Sequence, residues 1–175
     1  MDMEKKYDFT DEMKVFGDIT LRRIVALRDF GDVKAGDKGG WIEKEENLSQ
    51  DGNAWVCGDA RVYGDARVYG DAWVYGDAWV CGDARVCGNA RVCGDARVCG
   101  DAHVASESDY IVFKNFWSSG RYFTYTFSNR MWKVGCFYGT GEELIKKAYA
   151  DSEDSGWHYE QAVRYAEATE RRRKK

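Results

Sequence analysis

The sequence predicts a mainly β protein: a short parallel β-solenoid, an N-terminal β cap, and a C-terminal β-hairpin plus two helices. Nine consecutive six-residue units run through residues 53–104 in the pattern Asp/Asn-Ala-x-Val-x-Gly. Proline is absent, which suits continuous backbone pairing because proline lacks the amide donor. After residue 105 the period stops and aromatic-rich segments follow. We therefore expect three segments: an N-terminal cap (1–52), the repeat (53–105) and a C-terminal α+β module (106–175).

Each six-residue unit predicts a short strand followed by a corner. Ala54 and Val56 are two residues apart, so an extended chain points both to one side, while Trp55 and Cys57 point to the other. The Gly-Asp pair at 58–59 supplies turn chemistry, since glycine accepts a positive φ and aspartate bonds the local backbone. Strands and corners repeated at constant length stack as a parallel β-solenoid whose interior holds the valines and alanines.

The repeat resembles the hexapeptide-repeat family, whose members form a left-handed parallel β-helix of triangular cross-section. The resemblance implies three units per coil, so that the nine units form about three coils and residues about 18 positions apart stack on one wall. Upstream, residues 24–36, followed by Gly39-Gly40-Trp41-Ile42 and then 47–52, look like the segment that precedes such repeats in bacterial, prophage and phage proteins. Those proteins are often labelled transferases on the repeat alone. We expect this segment to cap the lower end of the solenoid, which would otherwise expose backbone edges and core.

The C-terminal third predicts strands at 110–113, 122–127 and 131–137, from their aromatic and β-branched content. The Thr140-Gly141-Glu142-Glu143 stretch fits a capping box that opens a short helix. Apolar residues at helical spacing after Ser155 predict a second, longer helix. The segment around residues 132–144 also looks like C-terminal modules of phage-encoded proteins, which implies no activity.

Composition excludes some partners. The formal net charge is −4, which gives no overall attraction to nucleic acid or to anionic membranes. The sequence contains no apolar run long enough to predict a transmembrane helix. The first residues (1–6) lead into no apolar stretch that would form a secretory signal. We expect a cytoplasmic protein that contacts neither membrane nor nucleic acid.

The outward slot before each valine is occupied by tryptophan, arginine or histidine. Sorted by wall, it forms three columns: Trp55–Trp73–Arg91, Arg61–Trp79–Arg97 and Arg67–Arg85–His103. Two columns place indole rings beside guanidinium groups one coil away, at a spacing that permits cation–π stacking. The stacking either shields the walls from solvent or forms a contact surface, because Trp, Tyr and Arg dominate interface hot spots. The candidate ligand- or partner-binding residues are Trp55, Trp73, Arg91, Arg61, Trp79 and Arg97.

Four cysteines, Cys81, Cys87, Cys93 and Cys99, recur at six-residue intervals and suggest a metal cluster. Successive units lie on different walls, so only Cys81 and Cys99 share a column. Two thiolates without a nearby histidine do not make a four-ligand zinc site, and we predict neither metal nor cofactor. A reducing compartment also disfavours a disulfide between the stacked pair.

These features favour a non-enzymatic binding protein of phage type that forms a homo-oligomer, with a trimer favoured. Aromatic–arginine pairs suit nucleotides, since bases stack on rings and phosphates pair with arginine. The hypothesis is that the protein counteracts host defence by masking a defence protein or sequestering a nucleotide signal.

The first alternative is a hexapeptide-repeat acyltransferase, in which the resemblance implies a catalytic histidine between subunits. His103 is the candidate base by position, although the columns leave it isolated; otherwise no catalytic residue is predicted. The second alternative is a structural scaffold in an assembly.

Overall fold

A computed structural model describes residues 4–175, and Met1–Met3 of the N-terminal segment considered above lie outside the described residues. The chain divides into two compact units, Met1–Glu107 and Ser108–Lys175. No helix within residues 4–175 is long and apolar enough to cross a membrane.

The first unit begins with an antiparallel hairpin of two strands, β1 (Tyr7–Phe16) and β2 (Ile19–Ala26). Strand β2 then pairs antiparallel with β3 (Lys38–Ile42). Gly17, at the hairpin turn, has a φ of +57°, a left-handed conformation that glycine adopts without strain. The hairpin thereby connects to β3, which is the first strand to enter the solenoid.

The solenoid has three walls, and in each of them two-residue strands from successive coils pair in parallel. The hairpin wall continues the hairpin in the order β1-β2-β3-β5-β8-β11, the Trp73 wall contains β4, β7 and β10, and the His103 wall contains β6, β9 and β12. The short strands are β4 (Trp55–Val56), β5 (Arg61–Val62), β6 (Arg67–Val68), β7 (Trp73–Val74), β8 (Trp79–Val80), β9 (Arg85–Val86), β10 (Arg91–Val92), β11 (Arg97–Val98) and β12 (His103–Val104).

The interior of the solenoid is a column of small apolar side chains along each wall. Every repeat valine from Val56 to Val104, and every repeat alanine from Ala54 to Ala102, is 0% exposed. Backbone amides bond carbonyls one coil away, as Trp73 N–H does to the carbonyl of Ala90 at 2.9 Å. The predicted in-and-out alternation is therefore confirmed, with burial and a continuous ladder stabilising each coil together.

The leading segment adds most of a further coil, so the solenoid has about four turns where the repeat alone predicts three. Ile42 pairs with Val62, and Leu48 bridges to Val68. Between them Asn47 is fully buried and donates to the carbonyls of Gly64 at 3.0 Å and Ala66 at 2.9 Å. The segment expected to cap the solenoid thus extends its walls before ending it.

The lower end of the solenoid buries a lysine. Lys6 is 0% exposed, and its ammonium donates to the carbonyl of Ala54 at 2.8 Å and to that of Asp51 at 3.3 Å. Burial, followed by the charge of Arg28, lowers the pKa of Lys6 to about 8. Next to it, the buried Tyr7 hydroxyl donates to the carbonyl of Leu48 at 2.6 Å. This bond fixes the first strand of the chain to the lowest coil.

The second unit is an antiparallel sheet followed by two helices. The sheet runs in the order β13 (Tyr110–Lys114), β14 (Tyr122–Thr126), β15 (Met131–Val134), β16 (Phe137–Gly139), and the helices are α1 (Gly141–Asp151) and α2 (Glu153–Arg173). The aromatic core consists mainly of Phe123, Tyr125, Trp132, Leu144, Tyr159 and Val163.

Two details of the second unit differ from the sequence prediction. The strand expected over 131–137 is broken, because Gly135 turns the chain with a φ of +55° between β15 and β16. The capping box at Thr140 is confirmed, with its hydroxyl accepting from Glu143 N–H. Helix α2 starts earlier than expected, because Ser152 caps it by accepting from Ser155 N–H at 3.1 Å.

Candidate functional site

The strand pairing forms the three outward columns that the sequence predicts. On the Trp73 wall the pairs are Trp55↔Trp73 and Trp73↔Arg91. The hairpin wall and the His103 wall pair their outward residues in the same way: Arg61↔Trp79↔Arg97 and Arg67↔Arg85↔His103. The column geometry is confirmed, whereas the binding role of these residues stays a prediction.

On the hairpin wall the column is stacked on itself and on the hairpin. The guanidinium of Arg97 lies 4.1 Å from the ring centroid of Trp79, and that of Arg61 lies 4.8 Å from it. The hairpin tip folds over the same place, with Phe16 4.1 Å from Arg61 and its ring centroid 6.2 Å from that of Trp79. Trp79 is therefore half-buried and packs against three side chains of its own unit, as the shielding interpretation expects.

On the Trp73 wall the lower tryptophan is covered. Trp55 is only 2% exposed, because the rings of Tyr7 and Phe30 pack edge-on against it at centroid distances of 6.4 and 5.3 Å. It cannot present a ring face to a partner, although the sequence placed it among the candidate contacts. Above it Trp73 is half-buried and Arg91 exposed, with 5.7 Å between guanidinium and ring.

His103 is not isolated, contrary to expectation. Its Nε2 lies 3.1 Å from the Sγ atom of Cys87. The contact is diagonal: Cys87 follows Val86, which pairs with Val104, and His103 precedes Val104. Counting by 18 residues relates only the same slot of successive coils, whereas Cys87 and His103 are 16 residues apart, one coil less two residues.

The Cys87–His103 pair lies beside a cationic groove on the His103 wall. The groove has a volume of about 390 Å³ and is lined by Glu46, Ser49, Arg67, Val68, Tyr69 and Arg85. The hydrogen bond with Cys87, followed by burial, raises the pKa of the Tyr69 phenol. Arg67 and Arg85 are both exposed, so this wall can place two guanidinium groups against one anion.

The stacked cysteines form a disulfide, which corrects the expectation based on compartment. Cys81 and Cys99 are bonded across adjacent coils of the hairpin wall, with 4.7 Å between their Cα atoms. Parallel stacking brings the two sulfurs within bonding reach, since disulfides span Cα separations of this size. Within residues 4–175 no group of three or more His, Cys, Asp and Glu side chains could hold a metal ion; the metal-free state stays a prediction.

Comparison with known proteins supports the solenoid. The family model of the YdcK beta solenoid repeat matches residues 66–82 and 84–100. The chain is also 40% identical over 60 residues to a protein of Escherichia coli (strain K12) named "Uncharacterized acetyltransferase YdcK". The aligned part makes up 30% of this chain and 18% of that protein, so the chain spans under a fifth of its relative's length.

Proposed function

We propose that this chain is a binding protein whose solenoid is a rigid frame and whose Trp73 wall contacts the partner. The observation that carries the proposal is the contrast between the walls. Trp55 is 2% exposed, and Trp79, which is half-buried like Trp73, has the ring of Phe16 against it. Trp73 lies beside the exposed Arg91. An indole and a guanidinium that remain accessible on a rigid surface are the side chains that dominate interface energetics.

The first partner is a second copy of the chain, and a homotrimer is the favoured assembly. A parallel solenoid presents a straight, rigid wall, and three such walls close around an axis without leaving an unmatched face. The exposed apolar residues Met13 and Val15 on the hairpin's edge strand offer further contact area. Burying these side chains between copies removes apolar surface from water.

The narrower version names a partner in a host cell. The resemblance of the leading segment to phage and prophage proteins motivates it: in the cytoplasm, the oligomer masks a defence protein or sequesters a nucleotide signal. At the seam between two copies, Trp73 would stack on a base while Arg91 pairs with a phosphate.

Native mass spectrometry of the purified protein tests assembly and retained ligand together. We expect an oligomer that dissociates more readily in Trp73→Ala and Arg91→Ala, each costing about 2 kcal/mol, which is roughly a thirtyfold weaker dissociation constant. Arg121→Ala, which removes an exposed arginine of the second unit, is the matched control and should leave assembly unchanged. A wild-type protein that stays monomeric at high concentration contradicts the oligomer.

Calorimetry with cyclic nucleotides and ADP-ribose derivatives tests the nucleotide version separately. We expect binding by the wild type and loss of binding in Trp73→Ala. An absence of heat across the whole panel would remove that version and leave a protein partner as the remaining form of the proposal.

A second candidate function is acyl transfer. Two observations favour it: the similar Escherichia coli protein carries an acetyltransferase name, and His103 lies against a thiol instead of standing alone. Turnover of acetyl-coenzyme A with amine or hydroxyl acceptors tests it, and turnover that survives His103→Ala contradicts a role for this histidine. In the scaffold hypothesis the protein is a structural part of an assembly. A protein that stays monomeric at high concentration contradicts this hypothesis as well as the trimer.

A further inference from the structure

The backbone ladder holds Cys87 and His103 in fixed relation. The amide of Cys87 donates to the carbonyl of Val104 at 3.0 Å, and the strand of His103 pairs with β9, which ends immediately before Cys87. The two side chains leave adjacent coils toward the same side, with 3.1 Å between Sγ and Nε2. A thiol and an imidazole within hydrogen-bond reach form the pairing that activates cysteine nucleophiles.

The surroundings of this pair suit an electrophile that carries negative charge. Arg85 pairs with His103 across the ladder, and Arg67 lies one coil further down. Both line the adjoining groove of about 390 Å³, where Glu46 contributes an opposing carboxylate. Two guanidinium groups against one carboxylate leave the groove net cationic, and guanidinium pairs bind phosphates and carboxylates through charge-assisted hydrogen bonds.

We propose that Cys87 and His103 form a nucleophilic thiol site that accepts an acyl group from an anionic thioester. The inference rests on the second candidate function, acyl transfer, and assigns it a covalent acceptor.

In the step, His103 Nε2 takes the proton of the Cys87 thiol, and Sγ forms a bond to the acyl carbon. The bond from that carbon to the donor's sulfur breaks, and the departing thiolate takes the proton back from His103. The products are an S-acyl Cys87 and a free thiol. Because one thioester replaces another, no oxidant or reductant is required.

Four of the other five cysteines provide comparisons within the same molecule. Cys57 is half-buried, and burial raises the pKa of its thiol. Cys81 and Cys99 are joined to each other. Cys136, in the second unit, is exposed, so it reports how fast a cysteine reacts through exposure alone.

The experiment mixes the full chain with acetyl-coenzyme A, quenches with acid and maps acetylated peptides by mass spectrometry. We expect acetyl on Cys87 ahead of Cys136, a rate lowered about a hundredfold by His103→Gln, as loss of a general base implies, and no label at this position in Cys87→Ser. Arg67→Ala should slow labelling by acetyl-coenzyme A but leave labelling by the uncharged S-ethyl thioacetate unchanged. Circular dichroism of each variant checks that the solenoid is intact.

A second probe separates nucleophilicity from acyl specificity. Iodoacetamide, which is small and uncharged, should alkylate Cys87 faster than Cys136 in the wild type, and the advantage should vanish in His103→Gln. Equal alkylation rates at Cys87 and Cys136 would contradict the assignment of Cys87 as an activated nucleophile. Fast alkylation without acetylation by acetyl-coenzyme A overturns the acyl assignment.

The outcomes also distinguish this inference from the function on which it rests. Acetylation of Cys87 without turnover onto any acceptor supports the thiol site and contradicts the acyltransferase. Turnover that survives Cys87→Ser but not His103→Ala supports the acyltransferase and overturns the thiol site.

Discussion

Substituting alanine for Gly82 tests whether the distance between coils, more than the turn itself, demands glycine at the corners. Gly82 has a φ of +67°, and a Cβ placed there would lie 2.9 Å from the nitrogen of Gly100 and 3.0 Å from its oxygen. The left-handed conformation costs a non-glycine residue about 1–2 kcal/mol. The contacted atoms are backbone and cannot rotate away, so crowding adds about 1–3 kcal/mol. We expect Gly82→Ala to lower the free energy of unfolding by about 2–5 kcal/mol.

The matched control is Gly94→Ala on the uppermost coil. Gly94 has a φ of +61°, but a Cβ there would meet nothing within 4 Å. Gly94→Ala should therefore lower the free energy of unfolding only by the cost of the left-handed conformation, about 1–2 kcal/mol. Urea unfolding followed by circular dichroism at fixed pH measures both variants against the wild type. If Gly82→Ala and Gly94→Ala destabilise the protein equally, coil spacing is not what selects glycine, and the crowding argument fails.

Two further predictions concern stability. Because burial holds the pKa of Lys6 at about 8 instead of 10.5, the unfolded chain binds more protons between these values, so stability should rise with pH there by at most about 3 kcal/mol. Lys6→Met should flatten this rise in urea unfolding measured from pH 8 to 10, and an unchanged slope contradicts the assignment. The Cys81–Cys99 disulfide closes a loop with a separation of 18 residues, so Cys81→Ser should cost about 3 kcal/mol. Dithiothreitol should lower the midpoint of the wild type but not that of the variant; equal responses refute the bond's contribution.

Strict periodicity made the walls of the solenoid predictable. Once three units form a coil, the partner of every outward residue follows by counting, and the pairings Trp73↔Arg91 and Trp79↔Arg97 agree with that count. The partial fourth coil could not be counted in the same way. Ile42 and Leu48 keep the six-residue spacing, but Lys44 and Gln50 stand where the repeat has glycine. Buried Asn47 supplies the local turn, because its side-chain oxygen accepts from the amides of Glu43 at 3.2 Å and Lys44 at 2.9 Å.

The candidate site was less predictable because accessibility depends on distant parts of the chain. Trp55 looks equivalent to Trp73 in the repeat, yet Tyr7 and Phe30 cover it. The hairpin tip places Phe16 against Trp79, which stays half-buried. These contacts join segments that share no pattern with the repeat, so the sequence carries no local signal for them. The Cys87–His103 contact could have been found by comparing diagonal neighbours as well as vertical ones.

The fixed length of each coil has a consequence for how such a chain tolerates insertions and deletions. Duplicating three consecutive units would add one whole coil and leave every surface column in line. Duplicating a single unit would rotate everything above it by one wall. Placed between Cys87 and His103, such a duplication would separate thiol from imidazole while leaving the valine core and the backbone ladder intact. Changes in the number of units alone can therefore lengthen this surface or change which outward residues share a wall, without altering the composition of the repeat.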